Sequence, residues 1–234
     1  MTRTVSRARQ QGVSLFVVLV MVLLTTLLVL WGSRSALLNE MITGTDSDYQ
    51  RALEAAQAMV KDAEFDIKGE RPDGSPCSGT GCRVWGALDI AGGKVFYPET
   101  ANEFMDLQAA VGQSTPSCAA GICVPDHVED EFWKSEPTLT AMKSKAALYG
   151  AHTGAVGGAI GNPLLVNSPT RAWYWVEILP YDEASKAAGG AAYQFGPDEK
   201  LRPFVYRITA IAQGLKPSTR AVVQTTMVWK KKTS

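Results

Sequence analysis

Four cysteines are the residues in this chain best suited to covalent chemistry, and they bound two loops of equal length, CSGTGC and CAAGIC. Cys77 and Cys82 bound the first loop, and Cys118 and Cys123 bound the second. Pairing within each loop is favoured because a short loop closes at small entropic cost. Four cysteines nevertheless allow three connectivities, and the sequence does not select one. A zinc site that includes His127 is the alternative, although its C-x4-C spacing is looser than that of zinc knuckles.

Candidate catalytic groups are sparse. The two histidines, His127 and His152, lie in loop-like surroundings without an H-E-x-x-H or G-x-S-x-G pattern. The glycine-rich segment at residues 154–162 lacks the Gly-Lys-Ser/Thr ending of a phosphate-binding loop. We therefore expect structural or exposed histidines, no enzymatic activity and no cofactor.

Some charged and aromatic groups could bind a ligand, but a solvated surface or core packing is the simpler interpretation of them. The acids at residues 129–131 and 182–183 lack the spacing of a calcium loop, which favours a solvated surface. Trp173, Tyr174 and Trp175 could form a stacking platform for nucleic acid or sugar, but alternation along a strand would bury one face and favours core packing. Lysine plus arginine equals aspartate plus glutamate, at 23 each, so only a local patch such as Lys230–Lys232 could attract nucleic acid.

The elements that must position these residues begin with an unusual N-terminus. A leader with Arg3, Arg7, Arg9 and no acid ends at Gly12, and an apolar run follows from Val13. The run reaches Trp31 with only three polar residues, which is close to the roughly 20 residues that a transmembrane helix needs. It is longer than the apolar region of an ordinary signal peptide. The order predicts cleavage between Gly12 and Val13, with the cationic end in the cytoplasm.

Several segments together resemble the PilX-type minor pilins of type IV pili. They are GVSLFVVLV, RSALLNEMITG and DYQRALEAAQAMVKDAEFDI near the N-terminus, and FVYRITAIAQG and RAVVQTTMVW near the C-terminus. The resemblance implies processing and N-methylation by prepilin peptidase, storage in the inner membrane with the head in the periplasm, and incorporation into an extracellular fibre. It also implies partners among other minor pilins, the major pilin and the assembly machinery, and a role in twitching motility.

One position departs from the general pilin pattern. The fifth residue after the proposed cut is Val17, where most pilins carry glutamate. In the family picture that glutamate pairs, in the apolar fibre core, with the N-terminal amine of the subunit above. A chain with Val17 has no acid to pair, so the departure favours a position at or near the fibre tip. The alternative is that Val17 merely suits the lipid.

Hydrophobic periodicity predicts an α+β fold of the type IV pilin kind. One helix is expected from about Val13 to Lys68, ended by Gly69, with its second half covering a sheet. That half carries an apolar stripe with Asp62 among the residues on other faces; the stripe comprises Ile42, Thr45, Tyr49, Leu53, Ala56, Val60, Ala63 and Ile67. The expected sheet has three antiparallel strands, RAWYWVEILP, PFVYRITAIA and AVVQTTMVW. VWGALDI and KVFY are further strand candidates, and NEFMDLQAAV is a short helix candidate.

These elements suggest four parts: a cleaved leader at 1–12, a membrane or fibre-core helix at 13–32, an amphipathic helix at 33–68 and a globular, disulfide-containing head at 69–234. The favoured function is a structural subunit that primes pilus assembly and enters the fibre near its tip. A K-type pseudopilin of type II secretion is one alternative, since that family also commonly lacks the glutamate. An adhesin or DNA-binding pilin is another.

Overall fold

The computed structural model describes residues 13–86, 88–125, 131–155, 161–166, 169–181, 197 and 202–229. The chain divides into two units, residues 1–47 and 48–234. Its helices and strands are, in chain order, α1 (Val13–Lys68), α2 (Ala101–Val111), β1 (Cys118–Ala119), β2 (Ile122–Cys123), α3 (Glu136–Lys143), α4 (Pro163–Val166), β3 (Ala172–Pro180), β4 (Phe204–Gln213) and β5 (Arg220–Val228). A 3-10 turn at Phe132–Lys134 precedes α3.

Helix α1 has 56 residues and is unbroken through Gly32 and Gly44. By length and composition it is one helix that could cross a membrane. Its threonines bond within the helix, as when the Thr25 hydroxyl donates to the Met21 carbonyl at 3.0 Å, so they add little polarity to the apolar run. The predicted end is confirmed: Gly69 has φ of +67°, a left-handed conformation that glycine adopts without strain.

The predicted antiparallel sheet is confirmed and is larger than expected. Strands β3, β4 and β5 pair antiparallel in that order. The two-residue strands β1 and β2 form a hairpin, and β2 pairs with β3 in parallel, which gives the order β1-β2-β3-β4-β5. The head is therefore α+β with a five-stranded, mostly antiparallel sheet.

Two further strand candidates are wrong, whereas the short helix is confirmed. VWGALDI and KVFY form no named strand; a single bridge joins Asp89 to Lys94 across a turn that contains Gly93 at φ of +71°. Helix α2 occupies the predicted helical segment, and Thr100 and Glu103 cap it through a reciprocal capping box.

Both faces of the sheet are covered. One face, with Tyr174, Val176 and Ile178 of β3, packs with the second half of α1 in the main core. The other face, with Trp173 and Trp175, packs in a second cluster that is completed by residues of α3, the 3-10 turn and the Cys118–Cys123 hairpin. This second layer was not expected, because the alternation along β3 indicated only which side chains share a face.

Candidate functional site

The first unit presents exposed apolar side chains along α1. Val17, the residue at the position where most pilins carry glutamate, is 48% exposed, and Trp31 at the end of the apolar run is exposed as well. Helix α1 begins at Val13, while Gly12 of the proposed cleavage site lies outside the described residues. Contiguous exposed apolar side chains of this kind mark a surface that interacts with lipid or with another protein.

In the second unit, helix α1 carries three buried acids, Asp48, Asp62 and Asp66. They lie on the face that small side chains, including Ala52, Ala55 and Ala63, bring against the sheet. The burial of Asp62, which is only 2% exposed, corrects the expectation that this residue belongs to a polar face. The stripe is also shorter than expected at its start, because Ile42 and Tyr49 are exposed.

Asp66 is the centre of the most extensive network. Arg83 binds it in a bidentate ion pair, with both nitrogen–oxygen distances at 2.7 Å. The hydroxyls of Tyr97 and Tyr174 donate to its Oδ2 at 3.0 and 2.8 Å. Arg83 also donates to the carbonyls of Val95 and Ala120, at 3.0 and 2.9 Å. One carboxylate of α1 thus joins the helix, the loop that follows Arg83, the β1–β2 turn and strand β3.

The electrostatics of this network keep both tyrosines and Arg83 in one protonation state. Burial and then the Asp66 charge hold the pKa of Tyr97 and of Tyr174 well above the ordinary value, so both phenols stay neutral and donate. Burial by itself would lower the pKa of Arg83, but the Asp66 charge raises it above its usual range. Such a buried ion pair with satisfied hydrogen bonds holds α1 to the head, and the neutral phenols and charged guanidinium keep it in place.

Asp62 lies one turn before Asp66 and bonds to a different loop. It accepts hydrogen bonds from the Gly150 N–H at 2.8 Å and from the Thr153 hydroxyl. Burial raises its pKa to about 6, against the lowering effect of these donors. His152, between them in the same loop, has its pKa lowered to about 4, first by burial and then by the Arg83 charge. His152 is therefore neutral at physiological pH and serves the packing of this loop.

Residues 48–68 of α1 pack on the head and are called the docked part of α1. Asp48 is its first buried residue. Its carboxylate accepts the backbone N–H groups of Leu215 and Lys216, at 2.8 and 2.9 Å, in the turn that joins β4 to β5. These bonds lower its pKa although burial alone would raise it. The turn approaches closely at Gly214, where a Cβ would clash with Asp48 Oδ2.

The cysteines form two disulfides, Cys77–Cys82 and Cys118–Cys123, which is the local pairing favoured from the loop lengths. The first loop lies beside the loop that holds Asp62: Gly154 N–H donates to the Gly81 carbonyl at 2.9 Å. Its carbonyl at Ser78 accepts from Arg71 at 2.8 Å. The first disulfide thus supports the docking of α1, whereas the second lies in the cluster on the other face of the sheet.

The remaining sequence candidates do not converge on a reactive centre within the described part of the chain. Trp173 and Trp175 are buried, which confirms core packing. Among the described residues, no three histidine, cysteine or acidic side chains are grouped as metal ligands. Four candidate segments lie outside the described residues: the region of His127 with Glu129 and Asp130, residues 156–160 of the glycine-rich segment, residues 182–183, and Lys230–Lys232.

Sequence reasoning missed the buried acids. Their partners are distant in the chain, since Asp66 and Tyr174 are 108 residues apart. One local signal was available: Asp62 and Asp66 are spaced by one turn within a helix segment rich in alanine, where a small neighbouring side chain allows close approach of another element.

Comparison with known protein families gives two matches. Residues 99–228, more than half of the chain, match the family model described as Type IV pilus assembly protein PilX C-term. Residues 11–61 match the model described as PilX N-terminal. Searches of curated proteins and of solved structures give no match.

Proposed function

Because the chain belongs to the PilX family of type IV pilus assembly proteins, we propose that it is a minor pilin that primes assembly and is incorporated at or near the fibre tip. The family implies a structural minor pilin role and interaction with other pilus components. Priming and the tip position are the specific parts of the proposal. The observation that supports them is the uncharged start of α1, in which Val17 replaces the usual glutamate.

The physical argument concerns one buried charge. A lone carboxylate in an apolar fibre core is unfavourable, and an ion pair with a neighbouring N-terminal amine offsets much of that cost. From Val13 to Ser33 the helix contains no charged side chain. A subunit of this kind leaves no unpaired acid when nothing lies above it. Its own amine at Val13 remains able to receive the glutamate of the subunit below.

We further propose that prepilin peptidase cuts after Gly12 and methylates Val13. The uncut chain would be held in the inner membrane by residues 13–32, with the leader in the cytoplasm. The amphipathic segment 33–68 and the head 69–234 would lie in the periplasm until assembly. Exposed apolar side chains at the start of α1 and the basic leader support this arrangement.

Processing is tested by N-terminal sequencing of the mature protein. We expect the mature chain to begin at Val13, and Gly12→Glu should leave uncut precursor, since a larger charged side chain obstructs a peptidase at the membrane face. Any other N-terminus would refute the assignment of the site.

The tip position is tested by immunogold labelling of the head, with Val17→Glu and Val18→Glu as a matched pair. Wild-type label should lie at fibre ends. Val17→Glu should extend the label into the shaft, because it restores an acid that can pair with an amine above. Val18→Glu adds the same charge one residue away and should not do so. Even labelling of wild-type shafts would contradict the tip assignment.

A further inference from the structure

The two disulfides close loops of equal length but lie in different surroundings. Cys118 and Cys123 are buried in the second hydrophobic cluster of the head. Cys77 and Cys82 are each partly exposed, and residues 78–80 between them are exposed. An attacking thiolate must reach one of the sulfurs, and buried cysteines are otherwise inert. The surroundings therefore make the Cys77–Cys82 disulfide the more reactive of the two.

The two sulfurs of the first disulfide lie beside groups of opposite polarity. The Arg71 nitrogen Nη2 lies 3.8 Å from Cys82 Sγ. Cys77 Sγ instead lies 3.6 Å from the carbonyl oxygen of His152. A neighbouring guanidinium stabilises a thiolate, whereas a carbonyl oxygen opposes negative charge on sulfur. When the bond between the sulfurs breaks, the electron pair is therefore held better by Cys82, which makes Cys82 the better leaving group.

The loop and its neighbour hold Arg71 in this position. The nitrogen that lies near Cys82 also donates to the Ser78 carbonyl at 2.8 Å. On the other side, a Cβ at Gly154 would clash with Arg71 Nη1, so the glycine leaves the space that the guanidinium occupies. The positive charge is thus fixed beside Cys82 before any thiol approaches, and it can stabilise a thiolate there without rearrangement.

The disulfide loop is connected to α1 at both of its cysteines. The Cys77 N–H donates at 2.8 Å to the carbonyl of Gly69, which directly follows α1. Cys82 forms a β-bridge with Thr153, whose hydroxyl donates to Asp62 of α1. The disulfide is the covalent closure between these two connections. Opening it should therefore loosen the hold of the Thr153 loop on the docked part of α1.

We propose that Cys77–Cys82 is a thiol–disulfide exchange site for a protein dithiol, with Cys77 attacked and Cys82 leaving beside Arg71, and that its reduction loosens the docking of α1. In the first step the partner's thiolate bonds to Cys77 Sγ, the Cys77–Cys82 bond breaks, and its electron pair stays on Cys82. In the second step the partner's other thiolate attacks the partner's first sulfur, and Cys77 leaves. The partner gives up two electrons and becomes a disulfide. The two protons of its thiols pass through solvent to the two cysteines.

The reactivity is tested on the full-length protein in detergent micelles. Dithiothreitol serves as the dithiol, N-ethylmaleimide traps the thiols, and peptide mapping follows each cysteine with time. Cys77 and Cys82 should be reduced at least about ten times faster than Cys118 and Cys123, because the buried pair reacts only when its cluster opens. Equal rates for the two disulfides would overturn the proposal.

A monothiol identifies the attacked sulfur. After brief exposure to β-mercaptoethanol and trapping, the product with the mixed disulfide on Cys77 and maleimide on Cys82 should exceed the reverse product severalfold. Arg71→Gln should remove this preference, since glutamine can donate to a carbonyl but carries no charge. Arg71→Lys should restore it, and Lys94→Gln, which removes an exposed charge elsewhere in the head, should leave it unchanged. A mixed disulfide mainly on Cys82, or a preference that survives in Arg71→Gln, would contradict the assignment.

Amide exchange tests the link to α1. Reduction of the first disulfide alone should speed exchange of the Gly154 amide severalfold, because its acceptor is the Gly81 carbonyl inside the opened loop. The Leu215 amide, which donates to Asp48 at the other end of the docked part, is the internal reference. If exchange at Gly154 stayed unchanged relative to Leu215, reduction would not reach the helix and the proposal would fail.

Discussion

The two parts of helix α1 share one secondary structure but differ in what surrounds them. From Ser14 to Ser47 the side chains are largely exposed, and the apolar ones cluster toward the start. From Asp48 to Lys68 alanines, Met59 and Ile67 are buried with three acids among them. Among the described residues, the first part exposes its apolar side chains, whereas the second packs on the head. Helical periodicity alone does not distinguish these cases; the partners of the side chains do.

Of the substitutions considered, Asp66→Ala is expected to destabilise the docked part of α1 most. Removal of the carboxylate leaves Arg83 buried without its ion-pair partner and two tyrosine hydroxyls without an acceptor. Breaking one side of a buried pair costs about 3–5 kcal/mol. We expect a loss of that size in urea unfolding of the full-length protein in detergent.

Glu54→Ala is the control for that experiment, since Glu54 is an exposed acid on the same part of α1. Its effect should stay within about 0.5 kcal/mol. Asp66→Asn should also be strongly destabilising, because an amide keeps the shape of the side chain but not its charge. A loss below about 1 kcal/mol in Asp66→Ala would mean that the network does not hold the helix.

Removal of either disulfide should lower stability less than Asp66→Ala does, and amide exchange should show which disulfide stabilises the docked part of α1. Replacing Cys77 and Cys82 together by alanine should lower the free energy of unfolding by about 2 kcal/mol, as should replacing Cys118 and Cys123, because the loops are equally long. The first replacement should speed amide exchange around Asp62 more than the second, since the first loop bonds directly to the loop that binds Asp62, whereas the second loop is bonded to Arg83, the partner of Asp66. Equal acceleration by both variants would contradict this assignment.

The boundary between the two parts is tested at Asp48. Asp48→Ala should cost about 1 kcal/mol, because two backbone N–H groups lose a charged acceptor but lie in a turn that water can reach. Ser47→Ala, at the exposed preceding residue, should have almost no effect. If both variants are neutral, the docked part begins later than Asp48.

The helices and main strands could be predicted from the sequence, but the buried acids of α1 could not. The length of α1, its end at Gly69, helix α2 and strands β3 to β5 follow from local periodicity and caps. The burial of Asp62 and Asp66 depends on partners in remote loops, such as Arg83 and Thr153, which periodicity does not identify. VWGALDI has strand-like composition, yet its described residues form no strand, and Arg83 directly before it is bonded to Asp66 of α1. Tertiary pairing overrides local propensity there.

The smallest expected effect concerns pH, because two groups in the docked region act in opposite directions. Asp62 has its pKa raised by burial from 3.8 to about 6. As pH rises through that interval, the unfolded chain releases its proton first, so the Asp62 contribution to stability falls. His152 has its pKa lowered by burial from 6.5 to about 4. The unfolded chain holds the extra proton in that interval, so the His152 contribution rises with pH.

Single variants should separate these contributions, which act in opposite directions between pH 4 and 6. Asp62→Asn removes the falling contribution, so its stability relative to wild type should increase as pH rises through that window. His152→Asn removes the rising contribution, so its relative stability should decrease over the same range. Urea unfolding of each variant at several pH values gives the two slopes directly. Slopes of the same sign would mean that the loop carrying His152 does not bury both groups together, and the docked part of α1 would then be held chiefly by Asp66.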